Sequence, residues 1–423
     1  MTHILDELQW RGLVAHSTDE QALREVLGAG PARPATFYVG FDPTAPSLHI
    51  GNLVQILTAR RLQLAGHRPL ALVGGATGLI GDPKANAERA LNEADVVAGW
   101  VQRIRAQIVP LLDLDGPAAA TLVDNLDWTA SLSAIDLLRD VGRHFRVGTM
   151  IRKEVVATRL ASPEGISYTE FSYQVLQALD YLELHRRHGC VLQLGGSDQW
   201  GNITAGVDLV HKAAGAQVHA LATPLVTKAD GTKFGKTESG TVWLDPQLTS
   251  PFAFYQFWLN AEDASVGAYL RIFTFLPRHE IEQLEQDAAQ RPAARAAQRA
   301  LAREATTVVH GPQATQKVEA ASASLFGGGD LAALDPATLS DALAEVPRAT
   351  AERSGLRVVD LLVATGLAAS RGAARRTIVE GGAHVNNSRV QDVEAVVPPS
   401  ELLHDRWLVL RRGRRTLAAV EVR

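Results

Sequence analysis

Apolar residues along this chain change spacing several times, and each change marks an element. Phe37, Tyr38 and Val39 form a short strand-like run that Gly40 ends, and Asp42-Pro43 and Ala45-Pro46 punctuate the loop that follows. From 48 to 64 the apolar positions fall at helical spacing, with Ser47 placed as the N-cap. The same alternation repeats downstream. A strand at 69–73 leads through a glycine-rich turn to a helix at 87–112, and 121–123 is a further apolar strand. A helix at 170–184 precedes a strand at 191–194, a second glycine-rich turn and another helix. Strands alternating with helices predict an α/β fold, a parallel sheet with helices on both faces. Ligands in such folds bind beyond the carboxyl ends of the strands, where Tyr38, Gly40 and Asp82 fall.

Beyond Pro251 the spacing is helical to about 325, and Gly327-Gly328-Gly329 breaks it. The stretch 336–354 reads as a linker around short helical pieces. The expected division is a catalytic α/β domain at 1–225, a loop and connection at 226–250, and an α-helical domain at 251–330. A linker at 331–354 and a small terminal domain at 355–423 complete it.

Composition narrows the class. The 423 residues suffice for about two or three domains, and 46% hydrophobic with 21% charged residues is ordinary for a soluble globular protein. The net charge of −4 announces no global polyanion binder. Charge is nevertheless uneven: residues 355–423 hold eleven arginines against seven acids, a local excess of +4 that leaves −8 elsewhere. A basic module on an acidic protein suggests contact with a phosphate backbone, and Ser370 to Gly382 reads as a basic helix and glycine turn. A lone cysteine, Cys190, excludes an internal disulfide and a cysteine metal cluster. Its apolar neighbours make it a structural thiol. No secretory signal or membrane-length apolar run is present, so the expected location is the cytoplasm.

Four polar stretches carry candidate chemistry. His49 and Asn52 are three apart at a helix start, where unpaired backbone N–H groups suit a nucleotide phosphate, and Gly51 between them keeps the backbone open to a flat ring. Tyr173, Gln177 and Asp180 lie on one stripe of the 170–184 helix. That stripe faces either solvent or an interior site, and its lack of long charged residues favours the interior. Gly195 to Asn202 is a strand-to-helix turn with Asp198 and Gln199 at its closest approach to a ligand. Residues 228–240 are polar and glycine-rich and carry Lys228, Lys233 and Lys236, the pattern of a mobile loop whose cations can close over phosphates.

Together these stretches resemble the bacterial tyrosyl-tRNA synthetases, class I aminoacyl-tRNA synthetases. His49-Ile50-Gly51-Asn52 matches the family's first signature, HIGH, and Lys233-Phe234-Gly235-Lys236-Thr237 its second, KMSKS. Residues 74–83 and 195–206 match stretches special to the tyrosine enzyme. Residues 355–423 resemble a small RNA-binding domain also found in a ribosomal small-subunit protein. Two positions depart from the family pattern. Asn52 replaces the second histidine, and Lys84-Ala85-Asn86 replaces a Ser-Gly-Lys type sequence, so Lys84 is not counted as an ATP ligand.

The resemblance implies a Rossmann-like catalytic domain, an α-helical domain and a small α+β RNA-binding domain. It implies activation of L-tyrosine with ATP, Mg2+ accompanying the nucleotide without a dedicated protein metal site, and transfer to tRNA(Tyr) by a homodimer. The implied catalytic residues are Thr44, His49, Asn52, Lys233 and Lys236. Tyr38 and Asp180 would meet the phenolic hydroxyl, while Asp82, Tyr173, Gln177 and Gln199 complete the tyrosine site. Gly40, Asp42, Gly51, Gly196, Asp198 and Thr237 would join the catalytic residues around ATP, and Arg371, Arg375 and Arg376 would contact RNA. The tryptophan enzyme is the nearest rival, but an indole N–H only donates, and Tyr38 with Asp180 suits a phenol. A non-catalytic RNA-binding regulator is disfavoured because Thr44, His49, Lys233 and Lys236 are all retained.

Overall fold

Strand β2 (Thr36–Phe41) is apolar along its length, with Phe37, Tyr38, Val39 and Phe41 all buried, and it forms the middle of a sheet. Five strands of this computed structural model run parallel: β2, β3 (Arg68–Val73), β4 (Thr121–Asp124), β5 (Cys190–Gly196) and β6 (His219–Thr223). A two-residue strand, β1 (His16–Ser17), adds antiparallel to β6, giving the order β1-β6-β5-β2-β3-β4. The structure describes residues 3–83, 91–227, 234–237, 240–413 and 416–423.

The chain runs from β2 outward through β3 to β4, then returns to β5 on the opposite side of β2. The order therefore reverses between β2 and β5, and the crevice opens beyond their carboxyl ends. Helix Ile50–Leu64 follows β2, and helix Tyr168–His188 precedes β5. Tyr38, Leu70, Leu72, Leu179, Tyr181, Leu182 and Cys190 share one apolar core. Cys190 is fully buried, and burial pushes its thiol pKa up, as suits a structural thiol.

Several elements differ from the pattern reading. The helix placed at 87–112 is described as Ala94–Ile108 followed by a tight turn, Val109–Leu111, while 84–90 lie outside the described residues. The first 34 residues hold two short helices, Ile4–Trp10 and Glu20–Gly28, with β1 between them. Two residues are too few for an alternating pattern to register.

The chain divides into two compact units, 1–245 with 262–297, and 246–261 with 298–423. The helical span 251–330 is thus shared between them. Helix Ala296–Gly327, all but its first two residues in the second unit, is interrupted at Gly311, whose φ of 83° precedes Pro312. Residues 331–354 hold helix Pro336–Ala344, capped by Asp335, and a strand β9 (Arg348–Ala351). Between the units' strands in sequence, β7 (Lys236–Thr237) and β8 (Gly240–Thr241) form a two-residue ribbon of the first unit. The second sheet joins β9 to β10 (Ala383–Val385), β11 (Ser388–Arg389), β12 (Trp407–Arg412) and β13 (Thr416–Val422), in the order β11-β10-β12-β13-β9. Strand β9 pairs parallel with β13 although it is only half-buried and short of large apolar residues, which is why its pattern resembles a linker. Helices Val358–Ala364 and Arg371–Val379 cover this sheet through Val358, Leu361, Leu362, Ala374 and Ile378.

Candidate active site

The first signature is built around a helix cap. Nδ1 of His49 accepts the Gly51 N–H at 3.0 Å, and Oδ1 of Asn52 accepts the His49 N–H at 3.0 Å. His49, not Ser47, is therefore the N-cap, and Ile50 is the first helical residue. Ser47 is buried instead, donating to the Leu48 carbonyl at 2.7 Å and accepting from the Asp245 N–H at 3.2 Å. With Nδ1 accepting, the His49 ring carries its proton on Nε2, a donor of the kind a phosphate oxygen takes. A Cβ on Gly51 would stand 2.8 Å from the His49 ring, so only glycine allows this cap geometry.

A cavity of about 650 Å³ lies at the carboxyl ends of β2 and β5. Tyr38, Gly40, Asp42, Thr44, His49, Gly51, Asn52, Asp82, Tyr173, Gln177, Asp180, Gly196, Asp198 and Gln199 all line it. The stripe on helix Tyr168–His188 thus faces inward. Lys233 lies outside the described residues, as does Lys228; the backbone of Lys236 and Thr237 forms β7.

One end of the cavity is deeply enclosed. Asp180 is 2% exposed and accepts from Asn125 Nδ2 at 3.0 Å and Trp128 Nε1 at 2.9 Å. Burial pushes its pKa up to about 8; those two donors oppose the shift and the charges of Asp42 and Asp124 add to it. The Tyr38 hydroxyl is buried with no hydrogen-bond partner among the described residues, and its ring packs edge-on to Tyr181 at 5.2 Å. Oε1 of Gln177 and Oε1 of Gln193 are likewise buried and unpartnered, and both residues line the cavity. Unsatisfied buried polar atoms cost about 1–3 kcal/mol each, so their concentration here is the mark of a site that a polar ligand completes.

Carboxylates govern the middle. Asp42 accepts the Tyr173 hydroxyl at 2.7 Å and the Thr77 hydroxyl at 2.7 Å. Asp82 accepts Gln199 Nε2 at 2.8 Å and Asn202 Nδ2 at 3.1 Å. These bonds leave the Tyr173 oxygen as an acceptor beside an acidic wall, which suits an ammonium group. Among the described lining residues there is no lysine or arginine. The glycine turn after β3 is what lets the wall close: a Cβ on Gly75 would meet Asp124 Oδ1 at 2.4 Å.

The backbone of the second signature lies next to the first. Val242 donates to the Gly235 carbonyl at 2.9 Å, Ile50 donates to the Val242 carbonyl at 3.2 Å, and Leu244 donates to the Leu48 carbonyl at 2.8 Å. In the terminal module, Arg371 pairs with Asp360 at 2.7 Å and Arg375 with Glu394 at 3.0 Å; Arg375 and Arg376 are exposed. No group of three or more His, Cys, Asp or Glu among the described residues is arranged to hold a metal ion.

Asn125, Trp128 and Thr77 were not singled out from the sequence. Asn125 joins the β3 and β4 turns to the helix: it accepts from the Ala76 N–H at 2.7 Å and donates to Thr77 at 2.9 Å as well as to Asp180. Their signal was position, since both Asn125 and Trp128 directly follow the carboxyl end of β4.

Comparison with known proteins gives one answer along the chain. The family described as tRNA synthetases class I (W and Y) matches residues 31–327, and a tyrosine--tRNA ligase C-terminal domain family matches 338–420. A tyrosine--tRNA ligase of Streptomyces avermitilis is 65% identical, covering 100% of this chain and 99% of its own. That of Mycobacterium tuberculosis is 60% identical over 99% of this chain and 98% of its own. A truncated mitochondrial tyrosyl-tRNA synthetase of Coccidioides posadasii superposes with TM-score 0.67 at 30% identity, covering 76% of this chain and 92% of the other. The chain belongs to the class I tRNA synthetases of the tryptophan and tyrosine type, within the tyrosine--tRNA ligase family.

Proposed function

We infer that this chain is a tyrosine–tRNA ligase, which joins L-tyrosine to ATP as tyrosyl-adenylate and then moves the tyrosyl group to the terminal adenosine of tRNA(Tyr). The observation that carries the tyrosine assignment is the unpartnered Tyr38 hydroxyl sharing a closed cavity with buried Asp180. A phenol both donates and accepts. It donates to the Asp180 carboxylate and accepts from Tyr38, whereas phenylalanine leaves the Tyr38 hydroxyl unpaired and brings Asp180 no third donor. Asp82, Tyr173, Gln177 and Gln199 receive the α-ammonium end.

In the first step the tyrosine carboxylate oxygen attacks the α-phosphorus and the bond to pyrophosphate breaks. The carboxylate is already the nucleophile, so catalysis is alignment plus stabilisation of charge on the leaving phosphates. Thr44, His49 and Asn52 donate to phosphate oxygens at the helix N-terminus. Gly40, Asp42, Gly51, Gly196 and Asp198 shape the adenosine end. The acidic wall supplies no cation, so neutralisation falls to Lys233 and Lys236, with Thr237 beside them. Mg2+ enters with the ATP substrate, where it offsets phosphate charge.

For the second step we assign tRNA contacts to the basic module 355–423, with Arg371, Arg375 and Arg376 at phosphates, and to the helical region 251–330. We also infer a homodimer. Ile135, Leu138, Val147, Leu160 and Tyr168 are each at least half-exposed and fall in one stretch of chain. Among the described residues no helix is long and apolar enough to cross a membrane, and we infer a cytoplasmic location from the proposed role in translation.

Pyrophosphate exchange with each amino acid in turn tests the assignment. Tyrosine-dependent exchange is expected; exchange driven by tryptophan, or none at all, would overturn it. Sedimentation of Leu138→Asp is expected to yield monomers at concentrations where the unsubstituted protein is dimeric.

A further inference from the structure

The two ends of the segment that carries the second signature converge on one side chain. Tyr269, on helix Asp263–Phe273, donates its hydroxyl to the Thr227 carbonyl at 3.2 Å. Its ring also lies 4.9 Å from the ring of Phe234, centroid to centroid, and Phe234 stacks on Phe273 at 5.3 Å and 24°. Thr227 precedes the segment and Phe234 stands between the two signature lysines, so Tyr269 holds the chain on both sides of 228–233. Tyr269 is 6% exposed and Phe273 fully buried.

This seat is itself fixed to the first signature. Arg61 lies on helix Ile50–Leu64, whose N-terminus is capped by His49 with Asn52. Its Nη2 donates to the carbonyls of Ile272 at 2.9 Å and Thr274 at 2.6 Å, at the end of the Tyr269 helix. Arg11 adds bonds to the carbonyls of Arg271 at 2.8 Å and Leu276 at 2.8 Å. Buried guanidinium groups at a helix C-terminus satisfy carbonyls that otherwise lack partners and complement the helix dipole. Gly235 next to Phe234 closes the circuit: with φ of 82°, it sits where a Cβ would be 2.8 Å from the Ile50 side chain.

We propose that Tyr269 is a positioning residue for adenylate formation: with Phe273 it seats Phe234 and thereby sets the backbone of Lys236 at a fixed distance from the His49 helix. The proposal rests on the tyrosine–tRNA ligase reading. Tyr269 does not line the cavity, whereas Phe234 does, so the effect reaches the substrate through the seated ring. Transition-state charge stabilisation is steep in distance, so a displaced lysine backbone lowers the rate of phosphate departure and leaves the tyrosine pocket unaltered.

The test is single-turnover adenylate formation by the full-length protein, read beside tyrosine affinity and thermal unfolding. Tyr269→Leu is expected to slow adenylate formation roughly tenfold to a hundredfold at saturating ATP, with tyrosine affinity held within about twofold. Tyr269→Phe keeps the ring seat and recovers most of that loss. Phe234→Leu, at a less buried position, reproduces the slow step without a change in unfolding temperature. Unchanged rates in Tyr269→Leu or in Phe234→Leu would overturn the proposal, as would equal losses in rate and tyrosine affinity. Absence of tyrosine-dependent exchange in the unsubstituted protein would instead sink the functional reading.

Discussion

The two ends of the cavity are built on opposite principles. At the end we assign to the phenol the groups are already in place: Asp180 is held by Asn125 and Trp128, and Tyr38 is wedged against Tyr181. At the end we assign to the phosphates the fixed part is a helix N-terminus with its His49–Asn52 cap, and the described lining contributes no cation. A buried, pre-organised end discriminates between ligands in the ground state. An end whose positive charge comes from a separate segment acts on charge as it develops, and so raises turnover more than affinity. Selection and acceleration are therefore separable along one crevice.

Substitutions that strike one end alone test this separation. Lys233→Ala and Lys236→Ala are expected to have the largest effect, a loss of roughly 10²–10³ in adenylate formation with tyrosine affinity unchanged. Stopped-flow fluorescence reads both quantities, and a parallel loss of affinity would merge the two ends. Asp180→Asn should act in the reverse sense. It exchanges the charged acceptor of the tyrosine phenol for a neutral amide and sets an N–H donor against the donors Asn125 and Trp128; the tyrosine-over-phenylalanine preference is expected to narrow by roughly tenfold to a hundredfold, since a buried unpaired group costs about 1–3 kcal/mol. Pyrophosphate exchange with both amino acids measures it.

The Asp180 environment also predicts a pH dependence of intermediate size. Its pKa rises from 3.8 to about 8 in the ligand-free fold, so folding takes up a proton between those values. The stability that this proton contributes is complete below the lower value and is lost as pH rises through the upper one. Both carboxyl oxygens already accept a hydrogen bond, and accepting the phenol as well favours the ionised form. Tyrosine should consequently bind several-fold more tightly at pH 8 than at pH 7, with proton release visible by calorimetry in two buffers. Asp180→Asn should flatten both slopes.

The smallest effect belongs to the basic module. Arg376→Ala is expected to weaken tRNA binding a few-fold and reduce its salt slope by about one, leaving pyrophosphate exchange intact. Arg371 and Arg375 begin from exposed pairs with Asp360 and Glu394, pairs worth about 0–1 kcal/mol, so exchanging them for phosphate contacts costs little.

Much of the architecture was legible because it is written in periodicity. The run 37–39 and the stripe Tyr173–Gln177–Asp180 follow from the period of one element, and the glycine turns at 74–83 and 195–202 from their local composition. Errors arose where a neighbour decides. Ser47 has the right chemistry for an N-cap, yet the His49 side chain and Asn52 form the cap, and Ser47 is drawn to Gln107 and Asp245. Strand β9 is too polar to announce itself and exists because β13 offers a parallel edge. Asn125 and Trp128 have no motif, and their importance appears only when β4 delivers them to Asp180.

The amino-acid order alone determined the alternation of strands and helices, the two signatures and residue types whose chemistry suits a phenol, an ammonium group and phosphates. These are local properties, fixed by spacing and side-chain chemistry. Only the folded chain decided that the stripe faces inward, that Asp180 is held by two donors over 50 residues away in sequence, and that Tyr38 is left with an open hydroxyl. A hydrogen bond between distant residues depends on two independent backbone paths meeting within a few tenths of an ångström, and no period along one strand or helix carries that information.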